Sequence, residues 1–447
     1  MNASCLRAAV AAMVTALLWV STPTVAATID LHAAIDSAMR NNEGYHAALA
    51  ERERAEGQIT SARAGLFPKI DLHGTYDRNL KLSKVVFGGQ EFTIGTRYTT
   101  VGGLTIDQTL FEGGGVFSAW AAARQYRSME EHLASQAGLD LQADVASAYF
   151  DALLANALVD VAQQTFDLAE KNATVVKQKF DQGLVSEYDQ LRSQVRVANA
   201  RPPLLQAKNN ETLALLRLKN LIGLPVDADL SLDEAEPDSS AWEGQTLDQL
   251  AALAINQRSD LAATGHQVAA IDRAIGVVKA ERWPSLHFNG TFDYQALTDA
   301  SWPGGDDFSK SWIVGLNLSY SLFDGFRRHG NIQILKVDRK EADLQRGQLL
   351  RLISLQIEDA RSRFAEASER LAAQEQTVGE AQRGLDIANL RYESGVGTQL
   401  EVIDAQVELA TARVYVESAR HDRRIARVAW RRAMGAPILE SLPIGAK

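Results

Sequence analysis

Apolar positions recur along this chain with two periods, and the periods alternate in a fixed order. Between Leu141 and Phe180, apolar residues occupy Leu141, Val145, Ala148, Ala152, Ala155, Val159, Ala162, Phe166, Ala169, Ala173, Val176 and Phe180, at steps of four and three. A seven-residue repeat predicts a left-handed coiled coil, and the many alanines let helix axes come close. The same seam runs from Ile353 to Tyr392, interrupted only at Gln374. No proline lies between Pro68 and Pro202 or between Pro303 and Pro437 to break either helix. A helix from Gly114 to Gln182 extends roughly 100 Å at about 1.5 Å per residue. A compact domain has no use for such a rod, whereas a tunnel wall does. Pro202-Pro203 predicts a kink or break in the next helix.

Ahead of each long helix the period falls to two. Ile70, Leu72, Gly74 and Tyr76 alternate with Asp71, His73, Thr75 and Asp77. Leu286, Phe288, Gly290, Phe292 and Tyr294 alternate with His287, Asn289, Thr291 and Asp293. Trp312, Val314, Leu316, Leu318, Tyr320 and Leu322 face one way, and the mostly small or polar Ile313, Gly315, Asn317, Ser319 and Ser321 the other. Strands of about 9–11 residues with this alternation suit a membrane barrel, apolar toward lipid and polar toward the lumen. A half-buried soluble hairpin alternates in the same way.

These patterns belong to one duplicated unit. Gln108-Thr109-Leu110-Phe111-Glu112-Gly113 returns 212 positions later as Tyr320-Ser321-Leu322-Phe323-Asp324-Gly325. The same offset joins Gly183 to Gly395, Ser186 to Thr398, Gly223 to Gly435 and Pro225 to Pro437. Upstream, Pro68 with Pro284 and Asp77 with Asp293 are offset by 216, so four extra residues of the first copy fall between Asp77 and Leu104. The expected organisation is an export signal (1–27), a first repeat (28–225), a linker (226–245) and a second repeat (246–447). Strands are expected near 69–78, 100–110, 286–295 and 312–322, and helical hairpins near 114–222 and 326–434. The linker is acidic and carries Pro237 and Ser239-Ser240, as a surface connection should.

The hairpin turns carry their own signals. Asp181-Gln182-Gly183-Leu184-Val185-Ser186 closes one helix on glycine and starts the next with a serine N-cap. Gly395-Val396-Gly397-Thr398 repeats the device, and Thr398 with Glu401 spells a capping box.

Composition narrows the function. With 46% hydrophobic and 23% charged residues the chain is a packed protein, and its net charge of −10 disfavours nucleic acid. Eight histidines are scattered without ligand spacing, and neither a phosphate loop nor a nucleophile elbow is present. The glycines at 113–115 lack a following Lys-Ser/Thr and read as a strand-to-helix joint. No enzymatic activity, cofactor or metal is expected. Arg7, the apolar stretch from Ala8 to Val20, and Val25-Ala26-Ala27 read as a cleaved secretory signal. The only cysteine, Cys5, precedes that stretch, so neither lipidation nor a disulfide is expected. After residue 27 no run of about 18 consecutive apolar residues remains, so any membrane insertion must use strands closing a barrel.

In this order of elements the chain resembles the TolC family of outer-membrane efflux and secretion channels. The likeness is carried by Ala64-Gly65-Leu66-Phe67-Pro68, Gln108-Thr109-Leu110-Phe111, Phe180 to Ser186, and Arg391-Tyr392-Glu393-Ser394-Gly395-Val396-Gly397-Thr398. It covers essentially the whole chain after the signal. The resemblance implies a mainly α fold with membrane β: three protomers, four strands each, closing a twelve-stranded barrel continued by an α-helical coiled-coil tunnel. It implies an export conduit in a tripartite efflux pump or type I secretion system, spanning outer membrane and periplasm. Implied partners are two further protomers, outer-membrane lipid, and a periplasmic adaptor linking to an inner-membrane pump. By position, Gly183, Leu184, Val185 and Ser186, with Gly395, Val396, Gly397 and Thr398, match adaptor-contacting tips. Glu401 and Asp404 match a carboxylate pair at the periplasmic entrance. Gly397 departs from the family's best-known member, where an arginine ties protomers together through an aspartate at the place of Asp189. Tyr392 and Asp189 remain for a link within one chain. A periplasmic adaptor or another coiled-coil protein is the competing reading, but it calls for one hairpin flanked by soluble β-domains rather than two related hairpins.

Overall fold

The computed structural model describes residues 27–234, 242 and 244–439. The export signal, apart from Ala27, and Pro237 and Ser239-Ser240 of the linker lie outside the described residues. The first copy contributes β1 (Ala27–Ile29), α1 (Leu31–Asn41), α2 (Glu43–Ala64), β2 (Lys69–Arg78), β3 (Ser83–Phe87), β4 (Gln90–Ile94) and β5 (Tyr98–Glu112). Two long helices follow, α3 (Gly115–Asp181) and α4 (Glu187–Ile222), and then β6 (Leu230–Leu232). The second copy contributes α5 (Leu247–Gln257), α6 (Ser259–Ala280), β7 (Ser285–Thr298), β8 (Phe308–Ser319), α7 (Arg327–Glu393) and α8 (Gln399–Met434). The duplication is visible in lengths: α3 and α7 each have 67 residues, α4 and α8 each 36.

Contacts divide the chain into two units. One comprises Ala47–Gln136 with Arg258–Leu352, the other residues up to His46, Ala137–Gln257, and those from Ile353 on.

The first unit holds a four-stranded antiparallel sheet in the order β2-β5-β7-β8. Its register gathers like residues into rows. Leu72, Leu104, Phe292 and Trp312 lie opposite one another, as do Ile70, Ile106, Gly290 and Val314. On the other face His73, Gly103, Asp293 and Ser311 form one row, and Asp71, Thr105, Thr291 and Ile313 the next. Alternation along four strands thus becomes a mainly apolar and a mainly polar face, with Ile313 among the exceptions. Gly113 (φ 56°) and Gly114 (φ 80°) bend the chain from β5 into α3 in backbone conformations that favour glycine. The extra residues of the first copy belong to a β3–β4 ribbon turning on Gly88-Gly89, which the sequence reading did not foresee.

The second unit is helical. Its main core collects Ile35 of α1, Leu141, Val145, Tyr149 and Phe150 of α3, and Leu218 and Ile222 of α4. An 18-residue stretch of α3 has a mean hydropathy of 1.4, apolar enough by length and composition to cross a bilayer. Within the presumed linker, β6 pairs in parallel with β1. The fully buried Tyr149 hydroxyl lies 3.0 Å from the Ile29 carbonyl and 2.7 Å from that of Asp233, and accepts from Asp233 N at 3.1 Å. Burial pushes its pKa up to about 12, which keeps it a neutral donor. The anticipated break at Pro202-Pro203 is absent, since α4 runs unbroken through both. Ala198 and Asn199, whose carbonyls lose their helical donors to the proline rings, are exposed, so water can satisfy them.

Candidate functional site at the hairpin turns and the sheet

Each helical hairpin ends in a turn built from the same parts. In the first, Gly183 takes the left-handed conformation (φ 73°), Gly183 N donates to Phe180 O (2.8 Å) and Leu184 N to Lys179 O (2.9 Å). These bonds satisfy carbonyls that the end of α3 would leave unpaired. Ser186 then caps α4: its Oγ accepts from Asp189 N at 3.2 Å, and Asp189 Oδ2 accepts from Ser186 N at 3.2 Å. In the second turn Gly395 (φ 77°) plays the part of Gly183, and Val396 N donates to Arg391 O at 3.0 Å. Thr398 caps α8, with Glu401 as its reciprocal partner at 3.3 and 3.4 Å.

Asp189 and Glu401 are therefore repeat partners with one local duty. Glu401 carries a second: Arg391 Nε donates to its Oε2 at 3.1 Å. That bond, followed by the Thr398 backbone bond, holds the Glu401 carboxyl below the usual carboxylate range. Asp404, one turn on, is exposed and makes no side-chain hydrogen bond or ion pair among the described residues. Of the two gate candidates, only Asp404 leaves its charge unneutralised among the described residues.

Gly397 has a steric cause. A Cβ there would sit 2.8 Å from Arg391 Cβ and 3.0 Å from Arg391 C, a closeness only glycine permits. The gap closed in this way lets Gly397 N donate to Arg391 O at 2.8 Å. Val185, its repeat partner, makes no such bond.

Tyr392 and Asp189 are not hydrogen-bonded to each other, because the Asp189 carboxylate is engaged by Ser186. The Tyr392 hydroxyl is buried with no hydrogen-bond partner among the described residues. Burial, and then the nearby Asp189 charge, raise its pKa. At the turns, Lys179, which sequence reasoning missed, reaches from the first hairpin to the second. Its Nζ lies 3.8 Å from the Tyr392 ring centroid and donates to Tyr392 O at 3.2 Å. Gln399 adds a bond from Nε2 to Asp189 O at 3.4 Å. The apolar tip residues Leu184 and Val396 stay 68% and 71% exposed.

The sheet has an equally distinct surface. On its apolar face Leu72 is 82% exposed and Trp312 75%, whereas the polar face brings polar side chains together across strands. His73 Nε2 lies 3.1 Å from Asp293 Oδ1, and Asn289 donates to Asp107. A Cβ at Gly103 would collide with the Asp293 carboxylate, so glycine makes the room that the His73–Asp293 contact uses. β2 and β8 each have one hydrogen-bonded neighbour and present an open edge.

The family model described as "Outer membrane efflux protein" matches residues 34–224 and 250–436. The pyoverdine export outer membrane protein OpmQ of Pseudomonas aeruginosa is 25% identical over 421 residues, covering 91% of this chain and 85% of the relative. Protein CyaE of Bordetella pertussis is 25% identical over 385 residues, covering 85% and 78%. Among solved structures, the Campylobacter jejuni CmeC outer membrane channel superposes with a TM-score of 0.78 at 18% identity, over 93% of this chain and 87% of that one. The outer-membrane channel OprN gives 0.76 at 20% identity, over 91% and 90%.

Proposed function

Because the chain belongs to the outer membrane efflux protein family, we propose that it is one subunit of a trimeric export conduit whose sheets close one barrel in the outer membrane. One observation carries this reading: a four-stranded sheet with an exposed apolar face, a polar opposite face and two open edges. Open edges are not tolerated in lipid, so β8 of one protomer must meet β2 of the next until the ring closes. Three protomers make a twelve-stranded barrel, with Leu72 and Trp312 toward lipid and Asp71, His73 and Asp293 toward water. The paired helices continue it as a tunnel through the periplasm, passive and without catalysis.

The exposed turns at Gly183–Ser186 and Gly395–Thr398 are the surface an adaptor would grip. Through that adaptor the conduit serves an inner-membrane pump or a type I secretion system. At the entrance, three Asp404 carboxylates form the cation-attracting constriction and Glu401 acts chiefly as a cap. The Lys179–Tyr392 contact substitutes, within one protomer, for the link that an arginine at 397 would make.

The test is reconstitution of the purified protein in a planar bilayer, together with gel analysis of its oligomer. Detergent-resistant trimers and discrete conductance steps are expected. Leu316→Asp, on the lipid-facing side, should abolish membrane-inserted trimer, whereas Asn317→Asp should not. A monomer without conductance, or greater damage from Asn317→Asp, would overturn the assignment.

A further inference from the structure

Between α3, α4 and α8 lies a groove of about 540 Å³ that the conduit reading does not use. Its walls are mostly apolar, with Leu158 and Val161 from α3, Pro203 from α4, and Val414 and Tyr415 from α8. Its volume falls within the roughly 300–1,000 Å³ of ordinary small-molecule sites. Arg196 and Asn199, three residues apart on α4, line the same groove. Arg196 is half-buried and makes no ion pair or hydrogen bond among the described residues. A guanidinium stays charged at any physiological pH, and holding it against apolar walls without an anion is unfavourable.

The duplication sets this groove apart from the matching positions of the second copy. The positions 212 residues on from Leu158, Ala162 and Arg196 are Arg370, Gln374 and Glu408. The second copy therefore has polar side chains where the first is apolar, and an acid where the first has its cation. Tyr415, the repeat partner of Pro203, lies in the same groove.

We propose that this groove binds an amphiphilic anion, a long-chain carboxylate whose head pairs with Arg196 and whose chain lies along Leu158, Pro203 and Tyr415. The Arg196 fork can bind both carboxylate oxygens, and the Asn199 amide can add a third hydrogen bond. The apolar body supplies affinity by leaving water. The site needs neither conductance nor an adaptor, so it stands or falls apart from the conduit reading.

The test uses the full-length protein in lipid nanodiscs and a dodecanoate carrying a terminal photoreactive diazirine. After irradiation, peptide mass spectrometry should place the label within 158–165, 196–207 or 410–415. Arg196→Gln should lower this labelling at least fivefold. Ala162→Gln, which gives the first copy the residue of the second, should lower it comparably from a different helix. The dodecanol analogue should label several-fold less than the acid. Label confined to the sheet, equal labelling by acid and alcohol, or labelling unchanged by both substitutions would overturn the proposal.

Discussion

The two hairpin turns are built to one plan and finished differently. Both end a long helix on a left-handed glycine and start the next with a reciprocal cap. In the first, Val185 keeps a side chain and Lys179 reaches across to the Tyr392 ring. In the second, Gly397 gives up its side chain for a bond to Arg391 O, and Arg391, the repeat partner of Lys179, turns back to Glu401 within its own hairpin. The cation of the first copy joins the hairpins, while that of the second stabilises one. Duplication supplied the frame, and the differences settled which turn holds the other.

The sharpest way to break this comparison is to make the turns alike. Gly397→Val puts a Cβ into Arg391 and should destabilise the second turn by about 1–3 kcal/mol, the usual cost of overpacking. Val185→Gly should cost about 1 kcal/mol, through chain entropy and the loss of a half-buried side chain. Thermal denaturation of the two variants compares them directly, and equal losses would remove the steric account of Gly397.

Thr398→Ala and Ser186→Ala each delete a cap and should cost about 1 kcal/mol. Hydrogen exchange should rise in the first turn of α8 for one and of α4 for the other. Fraying shared by both helices would mean that the turns are one cooperative piece.

Lys179→Met removes the cation–π contact, worth about 0.5–1 kcal/mol at a partly exposed site. Its expected effect is on the entrance: single-channel conductance should rise, whereas Arg391→Met should leave it nearly unchanged. The reverse outcome would transfer the linking role to the second copy.

The smallest expected effect is a pH dependence. His421 of α8 lies 2.7 Å from Asp151 of α3 and 3.2 Å from Asp422, while its repeat partner is Asn209. Burial opposes its charge, but the hydrogen bonds to the two aspartates prevail, and its pKa is raised. A raised folded-state value means that its contribution is fully present below about pH 6.5 and is lost as pH rises through the folded pKa. The melting temperature of the protein should fall over that interval, and His421→Asn should flatten the profile. A variant that keeps the slope would place the titration elsewhere.

The features most legible in the sequence were those whose pattern repeats many times or acts over a few residues. Twelve seam positions from Leu141 to Phe180 and the alternation from Ile70 to Asp77 repeat often enough to outweigh local noise. The β3–β4 ribbon was missed, although Gly88-Gly89 between Val85-Val86-Phe87 and Phe92-Thr93-Ile94 is a hairpin signal. The β1–β6 pair has three residues per strand and no period, and it depends on Tyr149, distant in sequence from both. Helix caps were legible because Ser186 and Thr398 act within three residues. The Lys179–Tyr392 contact spans 213 positions and leaves no pattern. The break expected at Pro202-Pro203 does not occur, and the carbonyls the prolines strand lie on exposed Ala198 and Asn199, where water can reach them.

The open edges of β2 and β8 have a consequence for inheritance. If each chain is completed only by its neighbours, a protomer with a damaged edge spoils every ring it enters. Expressed in equal amount with intact chain and mixing at random into closed threefold rings, it would leave only about one ring in eight wholly intact. Alleles that disrupt the edge strands should therefore act dominantly over the wild type, whereas alleles that prevent the chain from folding at all should be recessive.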